Sequence, residues 1–227
     1  MYRGEITTTG RRYLKSTDVG NIMKKILLAI SKGRIMQEAL QLLKKNGIEC
    51  TDSPEHSRKL IFKTNVSNLD IIIVRASDVP LYIESGKVDL GIVGKDTLLE
   101  SRADNYYYLK DLKIASCRLV VAGKRNKKLR SNMKIATKYP SLTQDFFQSK
   151  GLPCSVLKLY GSMELAAVLD LSDAIVDLVD TGRTLKENGL KEICLINNIS
   201  SHLIVNESSF KTKRSAIDNI LSQIELR

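Results

Sequence analysis

The sequence predicts an α/β protein of two lobes, each a mostly parallel sheet flanked by helices, with the functional site in the cleft between them. Three observations lead there. Strand-sized apolar runs alternate with segments of helical period from Lys24 almost to the end of the chain, the pattern of parallel strands joined by helical crossovers. Eight or more such strands are crowded for one sheet in a chain of 227 residues, so two sheets are expected. Charged residues also fall repeatedly just after a strand, in the loops where open α/β sheets bind ligands.

Lys24 to Ile30 (KKILLAI) reads as the first strand, followed by the cationic turn Ser31-Lys32-Gly33-Arg34. Ile35, Ala39, Leu42 and Leu43 then repeat at helical spacing until Gly47 stops the helix. Lys32 and Arg34 at a helix start sit where the dipole is already positive, an arrangement that an anionic ligand would relieve. Glu49 to Asn68 is polar and irregular apart from Leu60-Ile61-Phe62, and Ser57-Arg58 within it is a candidate ligand contact. Ile71 to Val74 is a strand with Arg75 and Asp78 in the loop at its carboxyl end, and Pro80 to Glu84 a helix closed by Gly86. Leu90 to Val93 is the next strand, followed by a Gly94-Lys95-Asp96 loop.

Cys117 to Ala122 is a strand, Gly123 to Asn132 a basic loop, and Met133 to Pro140 holds a short strand ending at Lys138-Tyr139. Ser141 is placed to cap a helix reaching Lys150. Cys154 to Leu159 is a strand, and Gly161 to Glu164 opens a helix with Glu164 in its first turn. Strand-like runs follow at Glu192 to Ile196 and His202 to Val205, then a final amphipathic helix from Ser208 to Leu226.

The most informative stretch is DAIVDLVDTGRTL, Asp173 to Leu185. Its apolar, partly β-branched run suits a short strand buried on both faces. The turn Asp180-Thr181-Gly182-Arg183-Thr184 then leads into a short helix, Leu185 to Leu190. Such a turn gathers backbone N–H groups and a positive helix end around one point, a cradle for phosphate. Gly182 lets the backbone approach an anion, and the two threonine hydroxyls can donate to it. Asp173, Asp177 and Asp180 put carboxylates beside the cradle, which suits a phosphorylated sugar: its phosphate needs N–H donors, while ribose hydroxyls and a bridging magnesium need carboxylates. Read plainly, the same residues are a strand, turn and helix with Asp180 or Thr181 as N-cap. Acidic residues in the strand followed by Thr-Gly-X-Thr-Leu resemble the phosphoribosyl-diphosphate-binding signature of phosphoribosyltransferases.

Composition narrows the partners. The formal charge is +11 and the hydrophobic content 43%, with no apolar run near the ~20 residues that span a bilayer. The charge is spread along the chain, and with no tryptophan and 5% aromatics stacking platforms are scarce. Anionic metabolites are therefore expected as partners, and neither nucleic acid nor membrane. Cys50, Cys117, Cys154 and Cys194 form no C-x-x-C pair, so reduced thiols in a cytoplasmic protein are expected, with no zinc site. Nothing around the two histidines, His56 and His202, supports a histidine base. Residues 1–22 are polar and precede a second methionine, Met23; they read as a disordered extension, an expression remnant or an upstream start.

Four segments line up in order with one family. SKGR (Ser31 to Arg34), R-x-x-D-V-P with G-x-V-D-L-G-I-V-G-K-D (Arg75 to Asp96), ATKYP (Ala136 to Pro140), and GSMELA with DLVDTGRTL together resemble ATP phosphoribosyltransferase, which opens histidine biosynthesis. The match runs from about Lys24 to about Asn206. The resemblance implies lobes like those of periplasmic binding proteins, with the chain leaving the first lobe near residue 115 and returning near 193. Lobe 1 is then 23–115 plus 193–227, and lobe 2 is 116–192. Only about 20 residues follow Asn206, too few for the regulatory domain of the family's long form. The short form is implied, with a separate histidyl-tRNA-synthetase-like regulatory subunit and a homodimer within a larger hetero-oligomer.

The implied reaction is attack by adenine N1 of ATP on the anomeric carbon of 5-phosphoribosyl 1-diphosphate, expelling pyrophosphate with Mg2+ held through the substrate diphosphate. A ribosyl cation-like state needs positioning and charge stabilisation, and no activated nucleophile on the protein. The resemblance gives Asp180, Thr181, Gly182, Arg183 and Thr184 the sugar 5′-phosphate. Glu164, Asp173 and Asp177 become candidates for the ribose hydroxyls, the magnesium or the developing positive charge, with Glu164 and Asp177 the catalytic pair. Lys32, Gly33, Arg34, Arg58 and Arg75 go to the pyrophosphate or ATP phosphates, and Asp78 and Asp96 to the adenine or ribose of ATP. Two other readings are a non-catalytic two-lobed binding protein and a nucleobase phosphoribosyltransferase.

Overall fold

The computed structural model describes residues 24–55 and 57–224, so the expected extension at 1–22 and His56 lie outside the described residues. In chain order the strands are β1 (Ile26–Ser31), β2 (Ile61–Lys63), β3 (Leu69–Val74), β4 (Leu90–Gly94), β5 (Tyr106–Asp111), β6 (Cys117–Lys124), β7 (Met133–Thr137), β8 (Cys154–Lys158), β9 (Ala174–Val179), β10 (Leu190–Ile199) and β11 (Ser201–Asn206). The helices are α1 (Arg34–Lys45), α2 (Val79–Glu84), α3 (Lys95–Ser101), α4 (Pro140–Ser149), α5 (Met163–Val168), α6 (Arg183–Glu187), α7 (Glu207–Thr212) and α8 (Arg214–Gln223). They build two sheets, one of six strands in the order β2-β3-β1-β4-β11-β5 and one of five in the order β10-β6-β9-β7-β8.

Two α/β lobes are thus present, each with a parallel centre: β3-β1-β4 in one, β9-β7-β8 in the other. Antiparallel strands extend both, making the sheets mixed. Period-two alternation divides the apolar residues of β1 between two faces. Ile26, Leu28 and Ile30 pack with Met36, Ala39, Leu42 and Leu43 of α1 and with Ile217 and Ile220 of α8. Ala29 packs on the other face with Val79 and Ile83 of α2 and Leu98 of α3. In the second lobe Val120, Ala122 and Ile175 face α5, while Leu119, Val121 and Val176 face Phe147 of α4.

Three expectations need correction. β10 runs to Ile199 and pairs antiparallel with β6, so the second sheet extends past residue 192 and the chain returns at Ser200, not near 193. Composition marks a strand there but does not say which sheet it joins. The final helix is two helices broken at Lys213, whose Nζ turns inward to the buried Asp89 carboxylate at 2.8 Å. Asp89 also accepts from Leu27 N–H and from the Ser209 hydroxyl, so this buried charge is fully partnered. Strand β5 was not expected. It is an edge strand, mostly exposed, whose tyrosines favour an extended backbone without marking a buried face.

Candidate active site

Carboxyl ends of parallel strands from both lobes meet across the cleft. Lys32 and Gly33 follow β1, Arg75 follows β3, and Lys95 and Asp96 follow β4, on neighbouring strands roughly 4.8 Å apart. Asp96 is not in a loop, as expected, but in the first turn of α3, because the helix starts directly at Lys95. Arg58 is exposed just before β2, whose first residue Ile61 pairs with Ile72, near the carboxyl end of β3. Asp78 closes a 3-10 turn and accepts from the Ser77 hydroxyl at 2.9 Å.

Opposite them, β9 turns through Asp180-Thr181-Gly182 into α6. Gly182 has φ 77°, a left-handed conformation that costs a side-chain-bearing residue about 1–2 kcal/mol. Thr181 Oγ1 accepts from the Arg183 N–H at 3.4 Å, and Leu185, buried at 5% exposure, pins the helix to the core. These residues line a cavity of about 210 Å³ whose wall includes Glu164 and Asp177. Backbone N–H groups, threonine hydroxyls and carboxylates thus share one small space.

Two members of the expected set are placed differently. Asp173 lies at the opposite end of β9 from the cradle, about 23 Å away at the rise of a strand. There it takes the Lys134 N–H and pairs with Lys127 and Arg130, which together hold its carboxyl below the usual range. It is a structural anchor, not a neighbour of the cradle. The Arg183 guanidinium turns outward to Glu187 at 2.7 Å, away from the cavity-lining turn.

Asp177 is the most perturbed carboxylate in the cavity. Its pKa is pushed up to about 6, chiefly by burial and further by the charges of Glu164 and Asp96, against the lowering effect of the Leu178 N–H at 2.8 Å and of Lys138. A buried carboxylate perturbed by desolvation and by neighbouring charge in a cleft is a functional-site signature. Among the described residues, no three His, Cys, Asp or Glu side chains converge as a metal cage. Glu164 and Asp177, on the wall of one cavity, offer oxygen ligands of the kind a hard divalent cation takes.

The lobes touch through several side chains, of which Tyr139, Glu100 and Glu38 have no role in the sequence reading. The Tyr139 hydroxyl donates to Asp96 at 2.9 Å. Glu100 of α3 accepts from the Ser141 and Leu142 N–H groups, so one lobe caps a helix of the other. Arg34 donates to Asp180 at 2.8 Å, and Glu38 accepts from the Ala115 N–H at 2.7 Å beside the crossover. Behind Gly182 lies Glu192, held by a bidentate Arg118 at 2.6 and 2.8 Å. ATKYP was visible as a motif, but Tyr139 carried no assigned task, since its partner is on the other lobe.

The HisG family model, described as ATP phosphoribosyltransferase, matches residues 75–226. The ATP phosphoribosyltransferase of Ruthia magnifica subsp. Calyptogena magnifica is 48% identical over 201 residues, covering 88% of this chain and 98% of that protein. That of Albidiferax ferrireducens is 50% identical over 202 residues, covering 86% and 95%. A chain of the ATP phosphoribosyl transferase (HisG:HisZ) complex from Thermotoga maritima superposes with a TM-score of 0.77 at 35% identity, over 88% of this chain and 96% of that one. The periplasmic aliphatic sulphonate binding protein SsuA from Escherichia coli has a TM-score of 0.57 at 16% identity, a likeness of fold alone.

Proposed function

The chain belongs to the ATP phosphoribosyltransferase family, and we propose how its cleft carries out that family's reaction. It condenses ATP with 5-phosphoribosyl 1-diphosphate to give N1-(5-phosphoribosyl)-ATP and pyrophosphate, the first step of histidine biosynthesis. The observation that carries the residue assignment is the cavity in which the 180–184 turn faces Glu164 and Asp177.

The backbone N–H groups and threonine hydroxyls of residues 181–184 grip the sugar 5′-phosphate. That grip sets the ribose beside Glu164 and Asp177, whose negative charge favours the positive charge growing at the anomeric carbon. Lys32, Arg34, Arg58 and Arg75 receive the diphosphate or the ATP phosphates, and Asp78 and Asp96 the nucleoside end. Arg34 must then exchange its Asp180 partner for substrate oxygens, a swap between two exposed charges that costs little. When bound, Mg2+ neutralises the leaving diphosphate. Holding both reactants between two lobes supplies most of the rate by positioning.

The superposed chain comes from a complex named for HisG and HisZ. We extend this to a separate, histidyl-tRNA-synthetase-like subunit for this chain, which brings histidine feedback, in a hetero-oligomer built on its homodimer. No helix among the described residues is long and apolar enough to cross a membrane, and the substrates fit a cytoplasmic setting. Pyrophosphate release from ATP plus 5-phosphoribosyl 1-diphosphate tests the reading, with adenine replacing ATP as control. Release from 5-phosphoribosyl 1-diphosphate with ATP as the acceptor, and none with adenine, supports it. Release with adenine and not ATP points to base salvage, and binding without release to a solute-binding role.

A further inference from the structure

Tyr139 is buried at 4% exposure, yet its hydroxyl reaches across the lobe boundary to Asp96, itself 6% exposed. The Thr97 hydroxyl approaches the same oxygen, Oδ2, at 3.4 Å. The other oxygen, Oδ1, lies over Gly94, where a Cβ would collide with it. Gly94 has φ −67°, which any residue adopts, so the glycine serves space and not backbone freedom. A tyrosine from one lobe and an omitted side chain in the other therefore fix a single carboxylate in one orientation. Packing alone would be met by an apolar residue at 96, which needs neither donor nor glycine.

We propose that Tyr139 is a positioning residue for the nucleotide: it holds Asp96 so that Oδ1 accepts a hydrogen from the purine 6-amino group. The inference rests on the nucleotide-side reading of Asp96. A 6-oxo purine would face that carboxylate oxygen to oxygen with no proton between them, so the same contact selects adenine over guanine. Because the bond joins the two lobes, base selection is coupled to their contact.

Steady-state kinetics of the full chain test this. Tyr139→Phe keeps the buried ring and removes the donor. KM for ATP should rise about tenfold, KM for 5-phosphoribosyl 1-diphosphate should stay unchanged, and the binding preference for ATP over GTP, read from GTP as a competitive inhibitor, should fall by a similar factor. Gly94→Ala, which displaces the same carboxylate from the other side, should reproduce the effect with Tyr139 intact. In an Asp96→Asn background Tyr139→Phe should do less than in the wild type. An unchanged KM for ATP, an unchanged ATP-to-GTP preference, or equal rises for both substrates overturns the proposal. Wild-type protein that releases no pyrophosphate from 5-phosphoribosyl 1-diphosphate when ATP is the acceptor would instead overturn the reaction itself.

Discussion

Replacing Asp177 by Asn should make the protein more stable and less active, and the stability gain should depend on pH. The carboxyl has a folded pKa of about 6 against 3.8 for the free group, chiefly through burial. Between those values the native state keeps a proton that the unfolded chain has released, so stability falls as pH rises from about 4 to about 6. A rise of this size corresponds to about 3 kcal/mol at ~1.4 kcal/mol per pH unit. Partial exposure of the carboxyl reduces the expected figure to about 2 kcal/mol, or roughly 4–8 °C in Tm for a chain of this length. Asn keeps an oxygen for the Leu178 N–H and carries no charge. Thermal unfolding followed by circular dichroism should show Asp177→Asn above wild type at pH 7.5, with the gap closing by pH 4. An equal Tm at pH 7.5, or a gap that persists unchanged to pH 4, would refute the reasoning. Stability given up at a catalytic carboxylate is the expected trade at an active site.

Gly182→Val should abolish ribose 5-phosphate binding while ATP binding stays measurable by calorimetry, because φ 77° is strained for valine and the cradle must open. Thr184→Ala should weaken the same ligand about tenfold by removing one donor to phosphate. All four thiols are half-buried with raised pKa values, Cys117 to about 11, so alkylation of the native protein at pH 7.5 should be far slower than that of the unfolded chain, read by mass spectrometry. Adding the synthetase-like subunit should raise turnover and confer inhibition by histidine; sensitivity of the isolated chain would contradict the two-subunit reading.

Most of the fold was legible because it is written in local patterns. Alternating β1 residues, the helical spacing of Ile35, Ala39, Leu42 and Leu43, and the strand-turn-helix at 174–187 each depend on neighbours in sequence. The errors share one cause. Asp173 and Asp180 belong to one short motif, yet a strand separates its ends and only the carboxyl end reaches the cleft. Residues from about 193 on are expected in the first lobe, whereas Glu192 to Ile199 pair with β6 in the second sheet. The break at Lys213 depends on Asp89, more than a hundred residues earlier in the chain. Tyr139–Asp96 and Glu100–α4 exist only once two lobes have docked, and no periodicity reports that.

The measurement closest to the central claim is a crystal structure with 5-phosphoribosyl 1-diphosphate bound. The 5′-phosphate should lie within hydrogen-bond distance of the 181–184 backbone N–H groups, with the ribose against Glu164 and Asp177. Sugar phosphate bound elsewhere, with the 180–184 turn holding none of it, would contradict the account.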